Sequence, residues 1–298
     1  MGFRELLVSQ SNIFSGFQKP FEEADYVVLG VPFDATSTFR TGARFGPNAI
    51  REASLNIETY SFRSEFDIED ARLHDLGDLH ISTSVEKTLE NLSNVVAEIT
   101  ACGKIPVVMG GEHTITFGIL KGFGNRMAET AVISFDAHLD LRDEFLGVKL
   151  SHTTFMRRIK ELMKSVQIIE VGTRAVCREE IEYAKKAGVD FITALQLKEY
   201  GSREVVKLLK EKIADFGNIY LSIDMDVLDP AYAPAVQNPE PGGIDPVFLL
   251  DILYGLSKDH IIGFDVVEVA PNYDNGISAI QAAKLIFEII CFIEKRRR

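Results

Sequence analysis

Three short apolar runs in this chain each end in histidine or aspartate, and that pattern constrains the fold more than any bulk property does. Ile105-Pro106-Val107-Val108-Met109 leads into Gly110-Gly111-Glu112-His113. Thr130-Ala131-Val132-Ile133 leads into Ser134-Phe135-Asp136-Ala137-His138-Leu139-Asp140, and Ile219-Tyr220-Leu221 into Ser222-Ile223-Asp224-Met225-Asp226. Each run reads as a buried strand. Side chains on a strand repeat with period two, so Asp136, His138 and Asp140 are expected on one side, as are Asp224 and Asp226. Four carboxylates and two imidazoles are more donors than one tetrahedral zinc takes. They suit two metal ions that share bridging carboxylates.

The rest of the chain supports a sheet that can present such strand ends together. Strand-like segments are expected at 25–31, 72–76, 104–109, 130–136, 166–171, 189–193, 218–224 and 261–268. Helical patterns fall between them at 84–102, 152–164, 178–187, 202–215 and 246–257, with 277–295 at the end. Several strands are apolar on both faces, as in Ile219-Tyr220-Leu221-Ser222-Ile223, which requires helices on both sides of the sheet. Strand–helix alternation favours parallel pairing. The expectation is a three-layer α/β/α fold around an eight-stranded, mostly parallel sheet. No linker, repeat or composition shift divides the chain, so residues 1–298 are read as a single catalytic domain. In an open parallel sheet the ligand site lies beyond the carboxyl ends of the strands, where all three motifs fall.

Composition excludes several functions. A net charge of −12 argues against nucleic acid as a partner, because nucleic-acid binders carry a basic face. The terminal Lys295-Arg296-Arg297-Arg298 reads as a solvated helix end. The apolar run Leu285–Ile293 is too short to span a bilayer and contains Glu288, so no membrane association is expected. Residues 1–20 lack the apolar core of a secretory signal. Cys102, Cys177 and Cys291 form no Cys-x-x-Cys pair and suit a reducing, cytoplasmic setting as structural thiols.

The donor set indicates the chemistry. Hard oxygen donors with two imidazoles and no thiolate suit Mn²⁺ better than zinc or copper. Four aspartates cancel two divalent ions, and one shared hydroxide leaves the cluster near −1, a charge that welcomes a cationic substrate. Metal coordination lowers the pKa of water from about 15.7 to roughly 7, so the expected reaction class is metal-assisted hydrolysis.

Gly-Gly-x-His, Asp-Ala-His-x-Asp and Ser-x-Asp-x-Asp in this order closely resemble the arginase/agmatinase (ureohydrolase) family. The resemblance continues in Asp224-Met225-Asp226-Val227-Leu228-Asp229-Pro230, Pro239-Glu240-Pro241-Gly242-Gly243 and Glu268-Val269-Ala270-Pro271. Gly30-Val31-Pro32-Phe33-Asp34 and the run from Arg40 through Gly42, Arg44 and Gly46 to Pro47 look like the agmatinase branch. The match covers roughly residues 25–290. It implies that His113, Asp136, His138, Asp140, Asp224 and Asp226 ligate two Mn²⁺ ions per subunit, and that a metal-bridging hydroxide attacks the guanidinium carbon. It further implies that Asp140 passes a proton to the departing amine, that Glu268 holds the guanidinium, and that His152 shuttles protons. A homo-oligomer, trimer or hexamer, is also implied. His74, His80 and His260 match no ligand position and are read as structural, while Asp34, Arg44 and Pro47 are expected to shape loops or subunit contacts.

Three departures from the family pattern concern the substrate. Ala235-Val236-Gln237-Asn238 replaces a glycine-rich stretch, which restricts the backbone and adds side chains at the expected pocket wall. The loop Leu141–Leu150 lacks the Asn/Ser-rich segment of arginases. Thr153 replaces a glycine after His152; Glu112, for the usual aspartate, is expected to matter little. The reading is therefore hydrolysis of agmatine, a small cationic guanidino substrate, to putrescine and urea. Gln237 and Arg142 motivate an alternative, a guanidino acid such as guanidinobutyrate, or formiminoglutamate. A non-catalytic metal-binding paralogue is the remaining reading.

Overall fold

The computed structural model describes residues 2–9, 12–257 and 259–298. Eight parallel strands form the main sheet: β1 (Tyr26–Val31), β2 (Leu73–Leu79), β3 (Ile105–Gly110), β4 (Thr130–Phe135), β5 (Gln167–Thr173), β6 (Asp190–Thr193), β7 (Asn218–Asp224) and β8 (Ile261–Val267). Their lateral order is β2-β1-β3-β8-β7-β4-β5-β6, and the two-residue strand Val8–Ser9 adds antiparallel to β2 at one edge. The expected three-layer architecture is thus observed. Each strand is followed by a helix in turn: α1 (Gly46–Ser54), α2 (Val85–Ala101), α3 (Ile115–Gly122), α4 (Phe155–Leu162), α5 (Arg178–Ala187), α6 (Ala194–Ile213), α7 (Pro246–Leu256) and α8 (Ile277–Arg297).

Alternation along the strands divides the interior in two. Tyr26 and Val28 of β1 face a core shared with α1, α6, α7 and α8, while Val27, Leu29 and Val31 face one shared with α2, α3, α4 and α5. A strand buried on both faces must be apolar throughout, which explains the continuous runs of the sequence. Helix starts are set by side-chain caps. Ser84 accepts from Lys87 N, Asp245 accepts from Phe248 N ahead of Pro246, and Thr193 with Gln196 forms a capping box. That box starts α6 at Ala194 rather than near 202, and Gly201, at φ 74°, absorbs a kink. Helix α4 starts late for the opposite reason. Ser151 N bonds Thr154 Oγ1 at 2.9 Å and Thr154 N bonds Ser151 O at 3.1 Å, a turn in place of the first helical residues. Helices α1 and α3 were not expected from the sequence.

A buried ion cluster fastens α1 to the sheet. Arg51, fully buried, gives Nε to Asp75 Oδ2 at 2.7 Å and Nη2 to Asp75 Oδ1 at 2.9 Å, and Nη1 pairs with Asp78. The first residue of α1, Gly46, lies against the carbonyls of Gly110 and Val269, beside the ends of β3 and β8. The expected loop role is observed at Asp34, which pairs with Arg44 and accepts from Gly42 N at 2.8 Å, whereas Pro47 lies not in a loop but in the first turn of α1. Removing one partner of a buried pair strands the other charge and costs about 3–5 kcal/mol. Asp75→Ala is therefore expected to lower stability by that amount in denaturant melts. An Arg51→Met/Asp75→Ala double variant recovers part of it; equal destabilisation in both would show that the stranded charge is not the cause.

Candidate metal centre

The metal motifs follow β3, β7 and β4, and Glu268 follows β8. These four strands are consecutive neighbours at the middle of the sheet, so their carboxyl ends open on one place. Gly111 permits the closeness. Its N–H bonds Val31 O at 2.9 Å, and a Cβ there would stand 1.8 Å from the Phe33 carbonyl oxygen.

Convergence is not achieved by strand alternation, as the sequence reading had it. Strand β4 stops at Phe135, and Asp136–Asp140 run through an irregular turn in which Asp140 has φ 51°. Strand β7 stops at Asp224, and a 3₁₀ turn, Met225–Val227, carries Asp226. Carboxylates that bond backbone two residues on aim these side chains instead. Asp136 Oδ1 accepts from His138 N at 2.6 Å and Asp224 Oδ1 from Asp226 N at 2.8 Å. Asp226 Oδ1 joins the two turns by accepting from Ala137 N at 3.1 Å.

The six side chains meet as two overlapping groups. His113 Nδ1 lies 3.0 Å from Asp136 Oδ2, 3.2 Å from Asp224 Oδ2 and 3.5 Å from Asp140 Oδ2. His138 Nδ1 lies 3.0 Å from Asp226 Oδ2 and 3.4 Å from Asp136 Oδ1. Either His113/Asp136/Asp140 or Asp136/His138/Asp226 can hold a cation, and the shared Asp136 offers one oxygen to each side. His113 Nδ1 is buried without a hydrogen-bond partner, as a ligand atom would be.

Electrostatics point the same way. Burial opposes the charged forms throughout. At His113 the adjacent carboxylates of Asp136 and Asp224 override burial, and at His138 the charge of Asp226 does so, holding both imidazoles well above their usual range. Burial likewise works against Asp136, but His113 and His138 hold it well below the carboxylate range. Asp140 is pushed well up by burial and by the Asp136 charge, and Asp224 by burial and by Asp226. The raised carboxyls mark crowded negative charge, which divalent cations would relieve. The donors present fit two hard divalent ions.

Glu268 borders this centre under constraint. Its φ is 70°, its N–H bonds Gly111 O at 2.9 Å, and its Oε1 accepts from His113 N at 2.7 Å. Oε2 is left buried and without a partner. Burial, then the charge of Asp224, pushes the Glu268 carboxyl well up. His152, 4% exposed, places Nε2 3.0 Å from Thr38 Oγ1, and its N–H reaches Thr36 Oγ1 at 3.1 Å. Burial and the neighbouring His138 and His113 pull its pKa down to about 4. His152 is therefore neutral at neutral pH. Glu112 does more than expected of it: fully buried, it accepts from Thr36 N at 2.8 Å and Thr114 Oγ1 at 2.6 Å, tying the Thr36 loop to the centre.

A cavity of about 480 Å³ opens over these groups. His138, Asp140, His152, Asp224, Asp226 and Glu268 line its floor, with Arg142, Arg174, Glu180, Asn238 and Glu240 around them. Gln237 does not serve the wall as expected. It is fully buried and donates Nε2 to Ser37 Oγ at 2.5 Å, because Val236 pairs with Val269 and draws the segment inward. The sequence reading missed Arg174, whose guanidinium binds the carbonyls of Asp226 at 2.5 Å and Glu240 at 2.7 Å. Its signal was an arginine directly beyond a strand of the same sheet. His74, with Nδ1 2.8 Å from Lys19 O, and His260, with Nδ1 2.9 Å from Asn218 Oδ1, lie outside the cavity lining.

Comparison with known proteins agrees with this geometry. The arginase family model matches residues 24–291. An agmatinase of Bacillus anthracis is 34% identical over 284 residues, covering 93% of this chain and 95% of its own. The mitochondrial guanidino acid hydrolase of Homo sapiens is 33% identical over 283 residues, covering 92% of this chain and 80% of its own. The crystal structure of the agmatine ureohydrolase of Thermoplasma volcanium superposes with a TM-score of 0.89 at 35% identity, covering 98% of this chain and 97% of the other. The chain belongs to the arginase family, on its agmatinase branch, and is a hydrolase acting on guanidino groups.

Proposed function

We propose that the protein hydrolyses the guanidinium group of agmatine, giving putrescine and urea, with two Mn²⁺ ions held by His113, Asp136, His138, Asp140, Asp224 and Asp226. The observation that carries this reading is the unpaired, buried Glu268 Oε2 beside two adjoining carboxylate–imidazole groups. When bound, the ions supply a water whose pKa falls from about 15.7 to roughly 7.

The chain's own residues do the rest. Glu268 accepts N–H bonds from the planar cation and holds its carbon over the centre. Asp140, on the cavity floor, carries a proton to the departing amine. Neutral His152 takes up a proton at Nε2 or passes one through Thr38. Glu180 and Glu240 add acidic character to the wall, which suits a cation. A second reading, a guanidino acid such as guanidinobutyrate, rests on Arg142, which faces the same cavity with its Nε 3.9 Å from Glu180. The cytoplasmic, homo-oligomeric setting belongs to the same proposal.

Urea release measured across agmatine, arginine, guanidinobutyrate and guanidinopropionate, with formamide release from formiminoglutamate, tests the substrate. Turnover centred on agmatine is expected; turnover centred on a guanidino acid would transfer the assignment to the second reading. Silence from protein that binds two metals per chain would favour the non-catalytic paralogue.

Asp226→Ala is expected to lose metal and activity together. Glu268→Gln should keep its metal while kcat/KM falls about 10- to 100-fold, the worth of one charge-assisted hydrogen bond. Metal loss in that variant would remove Glu268 from substrate binding.

His152 yields a pH prediction. Its folded pKa near 4 lies below the unfolded value of about 6.5, so between these values the unfolded chain binds the extra proton. Stability conferred by neutral His152 is full above that window and lost as pH falls through it, on the order of 3 kcal/mol in all. Metal-free His152→Asn should lack this part of the acid destabilisation. Superimposable pH–stability curves for the two proteins would refute the assignment.

A further inference from the structure

Asp265 is fully buried on β8, and neither metal binding nor substrate binding as described above uses it. Ser222 of β7 is its lateral neighbour. Three hydroxyls converge on this one carboxylate. Ser222 Oγ donates to Oδ1 at 2.7 Å, while Tyr220 Oη and Thr116 Oγ1 donate to Oδ2 at 2.6 and 3.0 Å. The Asp265 carboxyl accepts from each, so all three hydroxyl hydrogens are committed to it.

That commitment reaches His113. Ser222 Oγ lies 2.9 Å from His113 Nε2, and with its hydrogen spent on Asp265 it offers only a lone pair. In the neutral imidazole that a metal requires, the proton therefore sits on Nε2 and the lone pair on Nδ1. Nδ1 is the atom that is buried without a hydrogen-bond partner, facing Asp136, Asp224 and Asp140. The Phe155 ring, its centroid 4.5 Å from that of the imidazole, packs against it.

We propose that Asp265 is a positioning residue for the metal centre: through Ser222 it fixes the tautomer and direction of His113, so that Nδ1 is presented as a ligand. The proposal rests on the reading of His113 as a ligand. An asparagine at 265 brings an N–H₂ donor where only acceptors are tolerated. Wherever that donor faces Ser222, the serine hydrogen turns to Nε2, and the imidazole proton moves to Nδ1, where it blocks the metal. Partners of this kind commonly set metal affinity by a factor of about 10–100.

The experiment is competition for Mn²⁺ with a calibrated chelator, on full-length protein, alongside thermal melts of the metal-free form. Asp265→Asn and Ser222→Ala are each expected to weaken Mn²⁺ binding about 10- to 100-fold, and the double variant to be no weaker than the worse single one, because both act on one path. Tyr220→Phe removes a hydroxyl from the same carboxylate outside that path. It should lower the melting temperature while leaving Mn²⁺ affinity within about twofold. Should Asp265→Asn fail to fold, Ser222→Ala against Tyr220→Phe carries the same comparison.

Unchanged Mn²⁺ affinity in Ser222→Ala, or equal losses in Ser222→Ala and Tyr220→Phe, would overturn the proposal. His113→Ala separates the two levels. If it binds Mn²⁺ as well as the parent, the ligand reading itself fails; if it loses a metal while Ser222→Ala does not, the positioning role alone fails.

Discussion

Like charges brought together without water set the terms for the structure. Asp136, Asp140, Asp224 and Asp226 are all buried within reach of two imidazoles, and Glu268 stands at their edge. Two unit charges about 4 Å apart interact with roughly 4 kcal/mol at an effective dielectric of ~20. A few such repulsions rival the whole net stability of a domain, about 5–15 kcal/mol. Such a cluster persists only if the scaffold is rigid and countercharge is available. The rigidity comes from four adjacent strand ends, from carboxylates bonded to their own turns, and from Asp140 and Glu268 held at positive φ. Countercharge would come from the divalent ions that these donors fit. The strained backbone and the crowded carboxylates suit one purpose, a site shaped for ions the polypeptide does not itself supply.

Much of this was legible in the sequence because the signals are strong and local. A strand buried on both faces must be apolar, and a buried run that ends in acids has few uses besides a ligand site, so β3, β4 and β7 and their donors could be read directly. Helices α1 and α3 could not. α1 opens on Gly-Pro, and α3 contains Gly118, whose place for a Cβ lies 2.9 Å from the Leu89 carbonyl oxygen; packing on neighbours, not propensity, makes that segment a helix. The period-two reading of Asp136–Asp140 reached the correct grouping by an incorrect route. A strand and an Asx-bonded turn can both put alternate side chains on one side, and only the turn's hydrogen bonds tell them apart. Asp265 was invisible for a related reason: its partners, Ser222 and Thr116, stand 43 and 149 residues away in sequence, and meet it only through strand register and the packing of α3 on the sheet.

The periphery obeys different rules from the floor. Arg174 reads as a charged wall residue but spends its guanidinium on carbonyls of the Asp226 turn and of Glu240. It therefore couples the position of the cavity rim to that of a proposed ligand, and a rim substitution that displaced Glu240 would also loosen the turn. Glu180 is committed in a similar way. Its two oxygens accept from Leu141 N at 3.2 Å and from Cys177 N at 3.0 Å, so it fixes the loop after Asp140 and caps α5.

Arg142 differs from both. Its backbone N–H is tied to Thr153 O, but its guanidinium is one-third exposed, 5.0 Å from the Phe145 ring centroid, and only within 3.9 Å of a carboxylate that is already bonded twice. A cation held this weakly is electrostatically available at the mouth of an otherwise acidic cavity. Under the proposed agmatine reading the cationic tail shares this cavity with Arg142 and Glu240; under the guanidino-acid reading Arg142 is the natural counterion. Under either proposed reading the floor serves the guanidinium, and the balance between Arg142 and Glu240 faces its tail. That balance lies in loops, where a single exchange alters the partner without disturbing a strand end.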